Sequence, residues 1–319
     1  MQRQFRLWGG VAPKTTRLRG QSIIEYVLIA AVIGLVVVFA GPQVSNAIRN
    51  QFSQVTNTVD SGTEGDNFHS AEEKAYREAM KIVVQKDAKD WTLDEQKAAA
   101  TDIAKNGTSS VVYAKAKAAM DAGTKWSVKL TNGVTMAYYI IGINHDDLAD
   151  GSGKAGLTFW TNTNVLGSKG SQFNSSNSTI GGWEKSELRQ KMNSGEIWNL
   201  MPDDFKSAIK EVKKETDNTG GGVAGPLSVT KDRLFCLSGY EAQMPDKPYE
   251  FHEGITYELF YDNFFEKNGN VYLRPNCWSR SLNRNDSRGF VYKLFIGYFN
   301  GCASAYANQT EQICPAWCF

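Results

Sequence analysis

The chain has 319 residues, of which 41% are hydrophobic and 22% are charged, a balance that supports a buried core and argues against intrinsic disorder. Its 35 basic and 34 acidic residues leave a formal net charge of +1, which argues against the strongly basic surface of nucleic-acid-binding proteins. Three histidines and five cysteines occur without the spacing of a zinc site, so a His- or Cys-ligated metal centre is disfavoured.

The first 20 residues form a basic leader with five Lys or Arg residues and no acidic residue. They precede an apolar segment, residues 23–40, in which Glu25 is the only charged residue. As an α-helix this segment would measure about 27 Å, close to the thickness of a bilayer's hydrocarbon core, and the leader predicts that its N-terminal end stays in the cytoplasm. A carboxylate in such a helix costs about 2.5–3.5 kcal/mol, so we expect Glu25 to have a partner.

The start of this segment resembles the class III signal of type IV prepilins, in the form found in Flp, or tight-adherence, pilins. Gly20 ends the leader, and Glu25 and Tyr26 are the fifth and sixth residues after it. The resemblance covers about residues 17–60 and implies cleavage between Gly20 and Gln21 by a prepilin peptidase. It also implies filament assembly through Glu25 and Tyr26, with the Glu25 carboxylate neutralising the N-terminal amine of a neighbouring subunit. The alternative is an ordinary N-terminal membrane anchor.

Beyond the apolar segment, apolar residues recur at helical spacing as far as Val59, which predicts one pilin-like membrane and filament helix over residues 21–59. Residues 60–69 are rich in Gly, Ser and acidic residues and predict a linker. Residues 70–124 predict a helical spacer of three short helices, the second of which begins with a Thr92–Glu95 capping box.

From about residue 126 the sequence changes to apolar and β-branched runs separated by turn residues, which predicts strands. The tripeptide TNG predicts a hairpin between the first two runs. Helical spacing predicts one helix at about residues 184–193 and a second at residues 202–215. Strands and helices combined in one unit, residues 125–319, predict an α+β domain.

Five segments of this domain resemble, in order, the landmarks of a surface-domain family of unknown function that is common in Gram-positive gut bacteria. They read GINHDDLADGSGKAGLTFWT, GGWEKSELRQKMNSGEIWNLMP, DRLFCLSGYE, YLRPNCWSRS and ICPAWCF. The resemblance covers about residues 125–319 and implies a C-type-lectin-like fold related to that of the formylglycine-generating enzyme. Cys314 departs from the family pattern, which has Arg there, and the family's WLRS-like strand reads WSRS at residues 278–281.

The last 44 residues contain nine aromatic residues, about 20% against 12% for the whole chain. Asn, Ser and Arg alternate with them, a mixture typical of antibody-like binding surfaces; the alternative is a strand-rich aromatic core. The stretch also resembles the variable region of proteins diversified by diversity-generating retroelements, which implies a ligand surface at the end of the domain. The predicted ligand-binding residues are Trp278, Arg280, Asn283, Arg284, Asn285, Asp286, Ser287, Arg288, Phe290, Tyr292, Tyr298, Asn300, Tyr306 and Asn308.

Two weaker patterns concern metal and thiol chemistry. Asp146, Asp147 and Asp150 share one loop and are a weak Ca²⁺ site candidate, although their spacing departs from the EF-hand; the alternative is an Asp-rich turn. Four of the five cysteines fall in the last 43 residues, which leaves open whether a disulfide forms. No set of nucleophile, base and acid is assembled, so we predict a protein that is not an enzyme. No cofactor is predicted, and Ca²⁺ is the one weak candidate.

These patterns together predict a pilin-like cell-surface adhesin, a minor or tip subunit, that presents a lectin-like and hypervariable ligand-binding domain. Its partners would be other pilin subunits, the prepilin peptidase, the membrane before assembly, and an unknown surface protein or glycan, but no nucleic acid. The predicted location is the cell surface or pilus, with the N-terminal helix as the membrane anchor. The alternative is a membrane-tethered extracellular enzyme of the formylglycine-generating-enzyme-like fold, which would have a concave site with converging titratable groups.

Overall fold

The computed structural model describes residues 70–242, 253–260, 276–283, 289–294 and 303–319, and Gly65–Phe319 form one compact unit. The described α-helices are α1 (Ala71–Val83), α2 (Leu93–Asn106), α3 (Tyr113–Asp121), α4 (Gly182–Lys185), α5 (Glu187–Asn193) and α6 (Asp203–Ala208). The described strands are β1 (Trp126–Lys129), β2 (Thr135–Ile143), β3 (Leu157–Thr161), β4 (Val212–Asp217), β5 (Leu227–Asp232), β6 (Cys277–Leu282), β7 (Phe290–Leu294), β8 (Ala303–Tyr306) and β9 (Ala316–Cys318).

The helices of the described ranges are all short, the longest being α2 with 14 residues, and neighbouring strands within each sheet run antiparallel. This is a mixed α/β architecture with antiparallel sheets. The predicted fold class, an α+β chain with a long N-terminal pilin-like helix, a short helical spacer and a C-type-lectin-like domain, was therefore wrong. A prediction from helical spacing continues a helix for as long as the apolar pattern continues. In the folded domain, a helix ends where the chain must turn to pack an apolar face against its neighbours.

Membrane association was predicted from residues near the N-terminus. None of the helices in the part of the chain that the structure describes has the length and apolar character needed to cross a bilayer. The predicted helix at residues 21–59 lies outside the described residues. The same holds for the leader and assembly residues Gly20, Gln21, Glu25 and Tyr26.

The three helices predicted for the spacer are present as α1 to α3, and the capping box of α2 is confirmed. Thr92 Oγ1 accepts a hydrogen bond from the Glu95 N–H at 3.4 Å, and Glu95 Oε2 accepts one from the Thr92 N–H at 2.8 Å. The helices pack directly on the sheet, because a Cβ atom added to Gly156 would lie only 1.9 Å from the Ala100 carbonyl oxygen of α2. Only glycine permits this approach of two backbones, so the predicted spacer shares the core of the domain.

Four strands form the central sheet in the order β1-β2-β3-β9. The predicted TNG hairpin joins β1 to β2, and Gly133 in its turn has a φ of 86°. The C-terminal strand β9 pairs with β3, so the last residues of the chain close the core. The buried rings of Tyr138, Phe159 and Trp317 pack beside it with centroids 5.3–6.1 Å apart.

Two predicted helices differ from the observed elements. The helix predicted at residues 184–193 is split at Ser186, whose extended backbone, with a ψ of 144°, ends α4 and whose hydroxyl caps α5. The helix predicted at residues 202–215 ends at Ala208, and Val212 begins strand β4. Buried and exposed residues alternate at the start of β4, which pairs along its length with β5. This long-range pairing overrides the local helical spacing.

Two smaller sheets complete the unit, the β4-β5 hairpin and a three-stranded sheet in the order β6-β7-β8. Strand β6 is buried at all six residues. The core therefore holds β6 in place, and the predicted ligand-binding stretch begins on this strand.

Candidate functional site

The predicted ligand-binding residues begin on β6 and end just after β8. Asn283 and Tyr306 are partly exposed, and Asn308 is exposed. Phe290 and Tyr292 belong to β7. The other candidates lie outside the described residues, namely Arg284, Asn285, Asp286, Ser287, Arg288, Tyr298 and Asn300.

The ladder between β7 and β8 has a buried side and a solvent-facing side. Val291 is opposite Ala305 in the register, and both side chains are buried. Successive residues of a strand point to opposite sides of the sheet. At the alternate positions of β8, Ser304 is exposed and Tyr306 is partly exposed, so this side of the ladder faces solvent.

Two predicted residues of β7 occupy register positions on the solvent-facing side. Phe290 pairs with Tyr306, and Tyr292 pairs with Ser304. We call these four positions the outer face. The Tyr306 N–H donates a hydrogen bond to Gln309 Oε1 at 2.9 Å, which fixes the turn that follows the outer face.

Trp278 and Arg280 were predicted to bind ligand, but both are completely buried. Trp278 Nε1 donates a hydrogen bond to the Ser171 carbonyl oxygen at 2.8 Å, and its ring centroid lies 6.0 Å from that of Phe173. Neither side chain therefore lies on a surface that a ligand could contact, because β6 is buried at all six residues. Both side chains therefore pack and form hydrogen bonds in the interior, beneath the sheet that carries the outer face.

The Arg280 guanidinium is the centre of a buried polar cluster. It forms an ion pair with Glu241, whose side chain is 1% exposed. Its N–H groups also donate to the backbone carbonyl oxygens of Glu215, Cys236 and Glu253 at 2.9–3.2 Å. These bonds use the planar fork of donors that arginine provides, and they hold β6 against β4 and two loop segments.

Lys214 joins the same cluster from β4. Its Nζ lies 2.7 Å from Asp146 Oδ1 and 2.5 Å from Glu241 Oε1, and it donates to Tyr257 Oη at 2.9 Å. Thr158 of β3 donates its hydroxyl to Asp146 Oδ2 at 2.6 Å. The cluster therefore ties the central sheet to β4 and, through Glu241, to β6.

Charge pairing outweighs the cost of burial at the ionised members of the cluster. Burial alone would raise the pKa of Asp146, but Lys214 and the Thr158 hydroxyl hold that pKa below its ordinary value of 3.8. Burial would likewise raise the pKa of Glu241, and Arg280 and Lys214 lower it. Burial disfavours the charge on Lys214, yet the two carboxylates raise its pKa. These groups therefore stay charged at neutral pH.

Glu253 differs from the other two acidic residues of the cluster. Burial raises the pKa of its carboxyl group above the ordinary value of 4.5. Its Oε1 accepts a hydrogen bond from the Asp217 N–H at 3.0 Å, and its Oε2 accepts one from the Ser281 hydroxyl. Burial therefore has the larger effect at Glu253, whereas the pairing with Lys214 and Arg280 has the larger effect at Asp146 and Glu241.

The loop proposed as a weak Ca²⁺ candidate directs its carboxylates to protein partners. Asp146 belongs to the buried cluster, Asp147 pairs with Lys154 at 3.3 Å, and Asp150 Oδ1 accepts a hydrogen bond from the Ser152 N–H at 2.8 Å. Among the residues that the structure describes, no group of three or more His, Cys, Asp or Glu side chains is arranged to hold a metal ion. The loop is an Asp-rich turn that delivers one carboxylate to the interior.

A family model matches residues 155–318, just over half of the chain. The chain belongs to the family described as Domain of unknown function (DUF6273). The matched residues of this DUF6273 domain include Lys214, Glu241, Glu253 and Arg280, whereas Asp146 precedes them. Comparison with curated proteins and with solved structures gave no significant match.

Most members of the buried cluster in this DUF6273 protein carry no local sequence signal. Glu241, Glu253 and Tyr257 belong to no local motif, and 68 residues separate Lys214 from Asp146. Strand β4 contains one usable signal, because Lys214 lies two residues after buried Val212 and therefore on the same side of the strand. A lysine on the buried side of a strand needs an acidic partner, although the sequence does not say which one.

Proposed function

We propose that this DUF6273 protein is a cell-surface adhesin that binds a macromolecular ligand through residues 283–308, here called the display segment. The observation that carries the proposal is the register of β7 and β8, in which Phe290 and Tyr292 share a side with Ser304 and Tyr306. Tyr is enriched at binding hot spots, and Tyr combined with Ser is typical of adaptable binding surfaces.

The buried cluster supports this proposal because it anchors the start of the display segment. Arg280 lies three residues before Asn283 and bonds to four other residues, Glu215, Cys236, Glu241 and Glu253. The other end of the segment runs into the closing strand, where Trp160 Nε1 donates a hydrogen bond to the Cys314 carbonyl oxygen at 3.0 Å. Binding residues held between fixed strands lose less conformational entropy when they bind.

The placement of titratable groups favours binding over catalysis. Asp146, Lys214, Glu241 and Arg280 are all buried and bond to one another or to the backbone. A catalytic acid or base must reach a substrate in an open, concave site. These four residues are buried and cannot contact a substrate from solution. The alternative of a membrane-tethered enzyme therefore draws no support from the cluster.

The proposed location is the cell surface, in a pilus built with other pilin subunits, after residence in the membrane. This part of the proposal rests on the sequence pattern of Gly20, Glu25 and Tyr26. A prepilin peptidase would recognise that pattern and cut before Gln21.

Cleavage at Gly20 gives a direct test of the location. We expect N-terminal sequencing of the surface protein to begin at Gln21, and Gly20→Leu to leave full-length precursor because the peptidase no longer recognises the site. Gly10→Leu, a matched change within the leader, should be processed normally. A mature N-terminus after Ala40 would contradict the proposal, since it would mean that the apolar segment had been removed as an ordinary secretory signal.

Ligand binding can be tested with full-length protein coupled to fluorescent beads and applied to cultured epithelial cells. We expect saturable binding by flow cytometry, above that of beads blocked with glycine. Loss of binding after protease treatment of the cells would identify a protein ligand, and loss after periodate oxidation would identify a glycan. Binding equal to that of the blocked beads on cells and on a printed glycan array would overturn the proposed function.

A further inference from the structure

Two cysteine side chains meet in the interior between β6 and the closing segment of the chain. Cys277 pairs with Gln312 in a parallel bridge, and the Trp278 N–H donates to the Gln312 carbonyl oxygen at 3.2 Å. Cys314 is two residues further along, and its side chain is in hydrogen-bonding contact with the Cys277 thiol. Both are free thiols in this structure, with exposures of 0% and 1%.

We propose that Cys277 and Cys314 form a disulfide when the protein folds under oxidising conditions. The parallel bridge at Cys277 brings the two segments together, and both thiols are buried in the same interior. A disulfide bond is about 2.05 Å long, so the two sulfur atoms must still move closer for the bond to form. The two backbone segments are already held side by side at Cys277 and Gln312, two residues before Cys314.

The other cysteines have different surroundings. Cys236 Sγ contacts Met192 Sδ at 3.7 Å, and Cys318 Sγ contacts Asp146 Oδ2 at 3.5 Å. Cys302 lies outside the described residues. The favoured pair is therefore the one whose thiols already touch.

The bond would form by thiol–disulfide exchange with a disulfide oxidant such as oxidised glutathione. One protein thiolate attacks the oxidant and forms a mixed disulfide, which releases one reduced thiol. The second protein thiolate then displaces the remaining half. Overall the two protein thiols lose two protons and two electrons, and the oxidant takes up both as its S–S bond breaks to give two thiols. Because both protein thiols are buried, we expect the exchange to occur during folding, before the core closes.

Such a disulfide would join the two flanks of the display segment. Cys277 lies six residues before Asn283, and Cys314 lies six residues after Asn308. A crosslink across this stretch restricts the unfolded chain. It also keeps the two ends of the display segment together, and this effect does not depend on the sequence of the segment. The inference does not depend on ligand binding, so its failure would leave the proposed function standing.

Peptide mapping of the wild-type chain tests the pairing without any substitution. Full-length protein is refolded with oxidised and reduced glutathione, alkylated, and digested without reduction by trypsin and a Glu-specific protease, which cuts after Glu311 and so separates Cys302 from Cys314. We expect a crosslinked peptide pair that contains Cys277 and Cys314, with fragmentation placing the link before Cys318. Full alkylation of both thiols, or a major link from Cys277 to Cys236 or Cys302, would overturn the proposal.

Variants give a second, independent readout of the crosslink. Oxidised wild-type protein should unfold at a higher urea concentration than reduced protein, and Cys236→Ser should keep this shift. Cys277→Ser and Cys314→Ser should each abolish it, because neither can form the bond. A shift that persists in both of these variants would contradict the assignment.

Discussion

Arg280→Met should lower the free energy of unfolding by about 3–5 kcal/mol, because it removes the charge that faces Glu241 while leaving that carboxylate buried. The backbone carbonyl oxygens of Glu215, Cys236 and Glu253 would lose their donors at the same time. Methionine fills a similar length of the interior, so the loss reports mainly on polar contacts. Urea unfolding followed by tryptophan fluorescence at pH 7 measures the change.

Arg77→Met is the matched control for this experiment. Arg77 pairs with Glu73 on one exposed helix face, and its side chain is 45% exposed. A surface pair of this kind contributes little, so we expect a change within about 0.5 kcal/mol. Equal effects of the two substitutions would mean that the Arg280 cluster does not hold the fold together.

Lys214→Met should destabilise the protein by a similar amount at pH 7, about 3–5 kcal/mol, and by much less at pH 4. In the wild-type protein the folded pKa values of Asp146 and Glu241 lie below their ordinary values of 3.8 and 4.5. The stability that these carboxylates contribute is therefore present above those ordinary values and is lost as the pH falls through the folded values.

The variant should respond to pH in the opposite direction. Without Lys214, the largest influence that lowers the pKa of Asp146 is lost, and burial opposes the charge on this carboxylate more strongly. Protonation at low pH then favours the folded state of the variant, and the difference from wild type shrinks. Lys213→Met, an exposed neighbour on the same strand, should show little loss at either pH. A loss at Lys214 that is unchanged between pH 7 and pH 4 would argue that packing, not charge, explains it.

Local signals predicted the elements whose cause lies within a few residues. The Thr92 cap satisfies donors in the first turn of its own helix, and Gly133 supplies the positive φ that its turn needs. The end of α6 at Ala208 was missed because its cause, the pairing of β4 with β5, depends on residues about 20 positions away. Helical spacing alone carries no information about that partner strand.

In the candidate site, too, local features could be predicted from the sequence and features that depend on distant residues could not. Arg280 was predicted to bind ligand because it lies in the aromatic and polar C-terminal stretch, and its partner Glu241 is 39 residues away in the sequence. Burial of a charged residue is decided by such distant partners. Aromatic enrichment in the display segment was visible in the composition, but the side of the sheet on which each residue lies required the register of β7 with β8.

The most direct test of the account compares cell binding by two sets of substitutions. One set changes the outer face, with Phe290→Ala, Tyr292→Ala and Tyr306→Ala combined. The control set changes Leu227→Ala and Val229→Ala, exposed residues of the β4-β5 hairpin with exposures of 59% and 57%. Both proteins are coupled to beads, and their urea unfolding is measured in parallel.

We predict that the outer-face protein needs at least a tenfold higher concentration for half-maximal binding to the epithelial cells, which corresponds to about 1.4 kcal/mol. Because Tyr306 is only partly exposed, the parallel urea unfolding is needed to separate a loss of binding from a loss of stability. The control protein should bind like wild type. Unchanged binding by the outer-face protein, or an equal loss in the control, would contradict the claim that this face carries the ligand site.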